Sequence, residues 1–306
     1  PPPGRDLPEG SLMAPSTARR PRPRGGYWLY LLPSLVLFTG VILVPFLMNI
    51  AISFTRWSGV GTPRWIGLDN YAKLVRDERF WASFGHNIAL IVAMAILPTI
   101  FGLVLAAALF DYIAKRFGPR TAAALRAAYY LPQVLPIAVA GVVWGWMLHP
   151  SYGAVNQIFG LKVNWLGDPD FALATVMAVM VWFQLGYPVV IFMSGLQRTD
   201  PALYEAAQID GASWWRRFWH ITIPQIRPEI YVVLLTCTIA ALKVFAPIFV
   251  LTRGGPGDAT MVPSYFSYLN FFQKANVGYG SAIATVLALI IAVVTFLFLR
   301  LQERDS

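Results

Sequence analysis

The stretch that decides the fold covers residues 201–224 and reads PALYEAAQIDGASWWRRFWHITIP. It is polar and centred on alanine, yet it lies between two strongly apolar runs, 171–197 and 229–252. The whole chain is 57% hydrophobic and only 13% charged, whereas a soluble domain carries about 25% charged residues. So few charges in 306 residues indicate that the chain folds in a bilayer and that the polar stretch lies outside it.

The polar stretch itself predicts two short helices. Asp200 and Pro201 mark a helix start, because a carboxylate caps free N–H groups and proline suits the first helical position. Gly211 predicts a left-handed stop. A second helix is expected to start at Ser213 and to end near His220. The stretch is therefore a helical hairpin between two apolar runs.

Six apolar runs are each long enough to cross a core of about 30 Å. They cover roughly 28–54, 83–110, 124–148, 171–197, 229–252 and 276–300. The fold class is therefore an all-α membrane protein with six transmembrane helices in a domain of residues 27–306. Residues 1–26 are rich in proline and arginine and predict a disordered basic tail. Prolines inside the runs predict kinks, at Pro33, Pro45, Pro98, Pro132, Pro136, Pro188 and Pro247.

The basic residues set the orientation. Six spans place both termini on one side, together with the loops 111–126 and 198–227. That side carries 15 Lys and Arg residues against 8 on the other. The excess of basic residues on the inner side predicts that both termini and the hairpin are cytoplasmic. The net charge of +9 is thus interpreted as orientation, and nucleic-acid binding is not expected.

Two interpretations of the hairpin remain open on its residues alone. Its tryptophans and arginines suit a linker at the lipid headgroups. Ala206 and Ala207 instead leave a smooth surface that another protein can approach closely. Glu205 and Asp210 add anionic groups for the basic side chains of a partner.

The segment YEAAQIDGA (204–212), followed by ITIP (221–224), resembles the EAA loop of membrane subunits of binding-protein-dependent ABC importers. The family pattern is E-A-A, three residues, Gly, and then I-x-L-P about nine residues on. The matching residues are Glu205, Ala206, Ala207, Gly211, Ile221 and Pro224, with Ile223 where leucine is common. The resemblance implies the type I ABC importer permease fold, with 198–227 as a coupling loop that sits in a groove of an ATPase subunit.

Three longer segments resemble the carbohydrate group of these permeases, with maltose, lactose and glycerol-3-phosphate permeases. They are GLDNYAKLVRDERFWASFGHNIAL (67–90), YYLPQVLPIAVAGVVWGWMLHPSYGAVNQIFG (129–160) and LKVFAPIFVLTRGGPGDAT (242–260). Ala246 stands where many relatives have an aspartate, so any role of that carboxylate is absent. The resemblance implies a bacterial-type plasma membrane protein. Its implied partners are a second homologous permease in a heterodimer, two ABC ATPase subunits and an extracytoplasmic solute-binding protein.

Polar residues at bilayer depth are candidates for the substrate pathway, because they usually face a cavity. Lys243 is the one charge near the middle of a predicted span, although a structural ion pair or snorkelling to the interface are alternatives. The resemblance implies substrate contacts in this part of span five and at Gln133. Trp182, Gln184 and Tyr187 combine aromatic and amide groups that suit a sugar, although such aromatic residues also serve as packing or as an interfacial belt.

The sequence thus predicts a permease subunit that imports a sugar or polyol and is not an enzyme. It has no phosphate-binding loop, so ATP and Mg are expected to act in the partner ATPase subunits, and this chain is expected to bind no cofactor. Its one cysteine and three histidines do not form a metal-ligand spacing. The alternatives are a secondary transporter with Lys243 in ion coupling, a membrane scaffold, or an ABC importer for a non-sugar solute.

Overall fold

The computed structural model describes residues 27–305, and the predicted tail lies outside the described residues. Its contacts divide the chain into two units, 1–47 and 48–306. The described chain is almost entirely helical, as the apolar runs predict. Two short antiparallel strands, β1 (Thr55–Arg56) and β2 (Arg64–Trp65), interrupt it after the first apolar run.

The α-helices of residues 27–305 vary from short turns to one helix of 29 residues. In chain order they are α1 (Tyr27–Phe38), α2 (Val44–Ser53), α3 (Asp69–Val75), α4 (Glu78–Ile91), α5 (Leu97–Ala107), α6 (Ala114–Phe117), α7 (Pro119–Val134), α8 (Ile137–Met147), α9 (Ala154–Phe159), α10 (Pro169–Gln184), α11 (Gly186–Leu196), α12 (Pro201–Ile209), α13 (Trp214–Arg217), α14 (Ile223–Gln225), α15 (Arg227–Leu242), α16 (Ala246–Leu251), α17 (Pro263–Tyr268) and α18 (Val277–Asp305).

Short π-helical turns join several of these helices without a break. They cover Thr39–Leu43, Val92–Ile96, Ala108–Ile113, Phe218–Thr222 and Leu269–Gln273. In three cases a proline follows two residues after the π turn, at Pro45, Pro98 and Pro224. Proline has no N–H for the carbonyl four residues earlier and clashes with it. The wider π turn accommodates the missing hydrogen bond, so the helices continue past Pro45 and Pro98. The helix with Pro224 passes the proline by one residue and ends at Gln225.

Four helical stretches are long and apolar enough to cross a membrane. They are Tyr30–Ser53, Glu78–Phe117, Pro169–Leu196 and Val277–Glu303. Two further candidates are bent pairs, α7 with α8 at 95° and α13–α14 with α15 at 73°. The described chain therefore has four straight candidate spans, or six when each bent pair is one span.

The structure divides two of the predicted spans. The third predicted span, 124–148, is broken between α7 and α8, where Pro136 cannot bond the carbonyl of Pro132. The fifth, 229–252, is broken between α15 and α16. There Pro247 has no N–H for the carbonyl of Lys243, so the three residues before α16 leave the helix. A proline lies at each break, and the bend of 95° between α7 and α8 is larger than the expected kink.

The helices of the second unit pack around two buried apolar clusters. One joins α4, α10 and α15–α18 around residues such as Phe80, Met180 and Tyr279. The other joins α5, α11 and α15 around residues such as Leu109 and Phe192. This second cluster lies at the end of the bundle that carries the hairpin, because Leu109 and Ile226 belong to it.

Glycines allow two close helix crossings, as is common in membrane bundles. A Cβ on Gly102 of α5 would lie 2.6 Å from the Cβ of Pro188 on α11. A Cβ on Gly186 would lie 2.3 Å from the carbonyl oxygen of Tyr129 on α7. Gly186 therefore has a packing role where α11 crosses α7.

Candidate functional site: the hairpin and the polar path

The first hairpin helix, α12, begins and ends where the sequence predicts. Asp200 Oδ1 accepts a hydrogen bond from the backbone N–H of Ala202 at 2.9 Å, and Pro201 is the first helical residue. Gly211 has φ +72°, a left-handed conformation that side chains disfavour. A Cβ on Gly211 would meet no atom within 4 Å. Glycine is therefore required here by the backbone turn and not by packing.

The second half of the hairpin starts at Ser213, as predicted, because Ser213 Oγ accepts a hydrogen bond from the backbone N–H of Arg216 at 3.4 Å. The predicted end near His220 is wrong. The helix continues through the π turn Phe218–Thr222 into α14 and ends at Gln225. The reason is the π turn before Pro224, which lets the helix pass the proline.

Tyr204 anchors α12 to the rest of the chain, and the sequence analysis missed it. Its side chain is buried, and its ring lies 6.0 Å from that of Phe110. Its hydroxyl makes a hydrogen bond with Thr222 Oγ1 at 3.1 Å. Burial raises the pKa of Tyr204 above its usual value, so the hydroxyl stays neutral. As the one aromatic residue of α12, Tyr204 is the signal that could have revealed this anchor.

A buried ion pair fixes the second half of the hairpin. Arg217 Nη2 lies 2.7 Å from Asp111 Oδ2, and the two side chains are only 13% and 7% exposed. Arg217 Nη1 also donates to the carbonyl oxygen of Ala212 at 2.9 Å. Lys115 approaches the second carboxylate oxygen of Asp111 at 2.9 Å. The hairpin is thus tied to the helix that runs from α4 to α6. Arg217, which the linker interpretation assigned to lipid phosphate, is used inside the protein.

The opposite face of the hairpin is exposed and unusually apolar for a polar loop. Ile209 is 87% exposed, and Leu203 is also exposed. Within residues 27–305, no ion pair involves Glu205 or Asp210. Of the predicted coupling residues, Ala207 is half-buried, and the exposed ones are Glu205, Ala206, Asp210, Gly211 and Pro224. One face is therefore anchored while the other presents apolar and acidic groups.

The structure brings two predicted pathway residues, Gln133 and Gln184, into contact, while Tyr187 bonds α15 separately. Gln133 Nε2 donates to Gln184 Oε1 at 3.2 Å, and Gln184 Nε2 donates to Cys237 Sγ at 3.1 Å. Tyr187 Oη hydrogen-bonds Thr236 Oγ1 at 3.2 Å. These contacts join α7, α10 and α11 to neighbouring residues of α15. Gln184 is 8% exposed, so its amide mainly orders this junction, and Gln133 remains half-buried.

Trp182 has a different environment. Its ring packs edge-on against Trp144 at 5.3 Å. Trp144 also lines an apolar groove of about 390 Å³ between α8, α9 and α10, together with Trp165 and Phe171. No hydrogen bond or ring contact described for residues 27–305 joins Trp182 to Gln133 or Tyr187. Trp182 therefore does not belong to the amide junction.

Lys243 lies at the break between α15 and α16 and not inside a continuous helix. Its side chain is exposed, and none of the ion pairs described for residues 27–305 involves it. It follows Cys237 by six residues, about 9 Å of helix rise. Lys243 thus directly follows the C-terminal end of α15, the helix that carries Cys237 of the amide junction.

The described residues contain no group of three His, Cys, Asp or Glu side chains that could hold a metal ion. The features that could bind a partner or a solute are the anchored hairpin, the amide junction and the Lys243 ammonium group at the helix break. They suit binding and movement.

Comparisons with known proteins agree with this arrangement. The profile of a family described as "Binding-protein-dependent transport system inner membrane component" matches residues 99–305. A probable ABC transporter permease of Pyrococcus horikoshii is 35% identical over 278 residues, 89% of this chain and 93% of that relative. The trehalose/maltose transport system permease protein of Thermococcus litoralis is 33% identical over 278 residues, 89% of this chain and 92% of that relative.

The fold is also similar to a solved structure, that of a bacterial ABC transporter involved in the import of the acidic polysaccharide alginate. The match has a TM-score of 0.79 at 24% identity and covers 91% of this chain and 96% of that chain. At this identity the likeness concerns the fold alone.

Proposed function

The chain belongs to the family of binding-protein-dependent transport system inner membrane components, and we propose that it is the permease subunit that carries a sugar or related polyol inward. The family is a transport component and not a catalytic one. Hydrolysis of ATP, with its Mg²⁺, then takes place in separate ATPase subunits. The six-span count and cytoplasmic termini predicted by the sequence are part of this proposal.

The observation that carries the proposal is the two-sided construction of the hairpin. Tyr204 and the Asp111–Arg217 ion pair fix its inner face to the bundle. Its outer face presents exposed apolar side chains between exposed acids, as expected of a surface that docks on another protein. A force applied to α12 by an ATPase subunit would pass through these anchors to the spans.

The partners follow from the same arrangement. Two ATPase subunits would receive the coupling loops of this chain and of a second homologous permease, with which it forms a heterodimer. A solute-binding protein would deliver the solute on the outer side. Each partner then shifts an equilibrium between inward-open and outward-open states by binding one state more tightly.

A sugar is the best supported solute class. The Thermococcus relative is named for trehalose and maltose transport. In this chain, Gln133 and Gln184 provide amide groups at one junction, and Tyr187 provides a hydroxyl group bonded to the neighbouring Thr236. Such groups match ring hydroxyls. We include Lys243 and Trp182 in the pathway as separate contacts, because neither is joined to that junction.

The test is the ATPase activity of the purified complex in lipid nanodiscs, with and without its solute-binding protein loaded with candidate sugars. A loaded binding protein should stimulate hydrolysis, and Glu205→Ala should abolish that stimulation while the complex still assembles. Glu78→Ala is the matched control, because it removes the same exposed charge at the start of α4.

Two results would contradict the proposal. Purification without any ATPase subunit would favour the lipid-facing linker and a secondary transporter with Lys243 in ion coupling. Stimulation that is equally reduced by Glu78→Ala would show that the hairpin is not the coupling surface.

A further inference from the structure

Side chains from two other helices stabilise the helix break at Lys243, because they donate hydrogen bonds to backbone carbonyls on either side of it. Asn87 of α4 donates from Nδ2 to the carbonyl oxygen of Ala241 at 2.8 Å. Ser264 of α17 donates from Oγ to the carbonyl oxygen of Val244. Asn87 is fully buried. The carbonyl oxygen of Ala241 also accepts a hydrogen bond from the backbone N–H of Val244 at 3.1 Å, so Asn87 adds a second bond there, and both side-chain donors stabilise the broken conformation.

The break holds Lys243 at bilayer depth. α15 contributes 16 residues between Arg227 and the break, about 24 Å of rise. If α15 enters the apolar core near Arg227, Lys243 lies in its farther half, the outer half in the proposed orientation. The ammonium group is exposed and has no ion-pair partner within residues 27–305.

Aromatic rings extend from the break toward the following helices. Phe245 stacks with Phe249 at 5.5 Å, and Phe249 meets Tyr268 edge-on at 5.7 Å. Phe249 is 38% exposed, so part of its surface is accessible. Accessible aromatic surface on the helix that follows the break suits the apolar side of a sugar ring.

The missing counter-charge indicates which sugars fit. During transport the pathway must close around its contents on both sides, and water is then largely excluded. A neutral sugar would leave the Lys243 charge unpaired in that closed state, which is costly. A sugar with an acidic group would neutralise it. We propose that the helix break at Lys243 is a binding site for the acidic group of an anionic carbohydrate, one that carries a carboxylate, sulfate or phosphate.

This inference rests on the proposed import function, and its first test is the preference of the wild-type system. The solute-binding protein is offered glucose and glucuronate, then galactose and galacturonate, as matched neutral and acidic pairs. Glucose 6-sulfate and glucose 6-phosphate extend the acidic set. Binding is followed by thermal shift and import by uptake into proteoliposomes that hold the full complex. The expected result is that an acidic member is bound and imported in preference to its neutral partner.

The second test changes the cation. Lys243→Gln should lower uptake of the acidic sugar at least about tenfold, the loss expected for one charge-assisted contact, and Lys243→Arg should retain most of it. Lys162→Gln is the control, because Lys162 is an exposed lysine in the loop between α9 and α10.

The outcomes separate the inference from the function on which it rests. Uptake of only neutral sugars, or normal uptake of the acidic sugar by Lys243→Gln, would overturn the acidic site while import stands. A Lys243→Gln complex that fails to retain its second permease would also overturn it, because the counter-charge would then belong to that subunit. If no loaded binding protein stimulates ATP hydrolysis, the import function itself fails.

Discussion

Loss of the Asp111–Arg217 ion pair should release the hairpin from the bundle. Arg217→Met keeps much of the side-chain length but leaves Asp111 buried with Lys115 as its remaining cation. Removal of one partner of a buried pair costs about 3–5 kcal/mol. Because Lys115 still compensates part of the charge, we expect the lower end, about 3 kcal/mol. This corresponds to roughly a hundredfold fall in the ratio of docked to released hairpin.

Two assays report this change in the purified complex. Limited proteolysis should cut the loop 198–227 faster, and stimulation of ATP hydrolysis by the loaded binding protein should fall. Arg216→Met is the matched control, because Arg216 is the adjacent arginine, is exposed and has no ion pair within residues 27–305. It should leave both readouts close to wild type.

A double variant tests the physical cause. Asp111→Met with Arg217→Met removes both buried charges, so it should recover much of the loss caused by Arg217→Met alone. If the double variant is as defective as the single one, the cost does not come from an unpaired charge. If Arg217→Met behaves like Arg216→Met in both assays, the ion pair does not hold the hairpin and our reasoning is refuted.

Three further predictions concern two glycines and one buried asparagine. Gly186→Ala should lower the free energy of unfolding by about 3 kcal/mol, because its methyl group would clash with the carbonyl oxygen of Tyr129 on α7. Gly145→Ala is the control, because a Cβ there meets nothing within 4 Å. Equal melting temperatures of the two variants would contradict the tight crossing. Gly211→Ala should weaken coupled ATP hydrolysis, since alanine costs about 1 kcal/mol at φ +72°. Gly211→Asn should be tolerated better. If Gly211→Asn lowers ATP hydrolysis more than Gly211→Ala does, the left-handed turn is unimportant. Asn87→Leu should cost about 1 kcal/mol by removing the hydrogen bond that Asn87 adds to the carbonyl oxygen of Ala241, and it should lower uptake. Unchanged uptake and melting would mean that the break needs no such donor.

Local signals in the sequence predicted local structure well. Asp200, Pro201, Gly211 and Ser213 each act through backbone groups a few residues away, and the structure places the helix ends at those residues. The apolar runs also predicted where helices lie. Prolines predicted distortions, but not their type. Pro98 lies within a continuous helix after a π turn, whereas Pro136 lies at a 95° bend.

Long-range contacts could not be predicted in the same way. Asp111 and Arg217 are 106 residues apart, and no sequence pattern near either residue predicts that it pairs with the other. The break at Lys243 has a local cause in Pro247, but the donors that stabilise it, Asn87 and Ser264, come from other helices. Gln133 and Gln184 were chosen separately for their chemistry, and only the fold shows that they touch.

The π turn Val92–Ile96 also changes the helical phase of its span. An α-helix turns by about 100° for each residue, so a plain helical wheel puts Asn87 and Ala106 about 100° apart. A π turn takes up one additional residue, and subtracting it brings both onto the same side, where both are fully buried. A single deletion inside this π turn would remove that additional residue and leave a regular α-helix with Asn87 and Ala106 still on the same side. The π turn is therefore what allows one span to hold the additional residue and still present both the contact of Asn87 with α15 and the packing of Ala106.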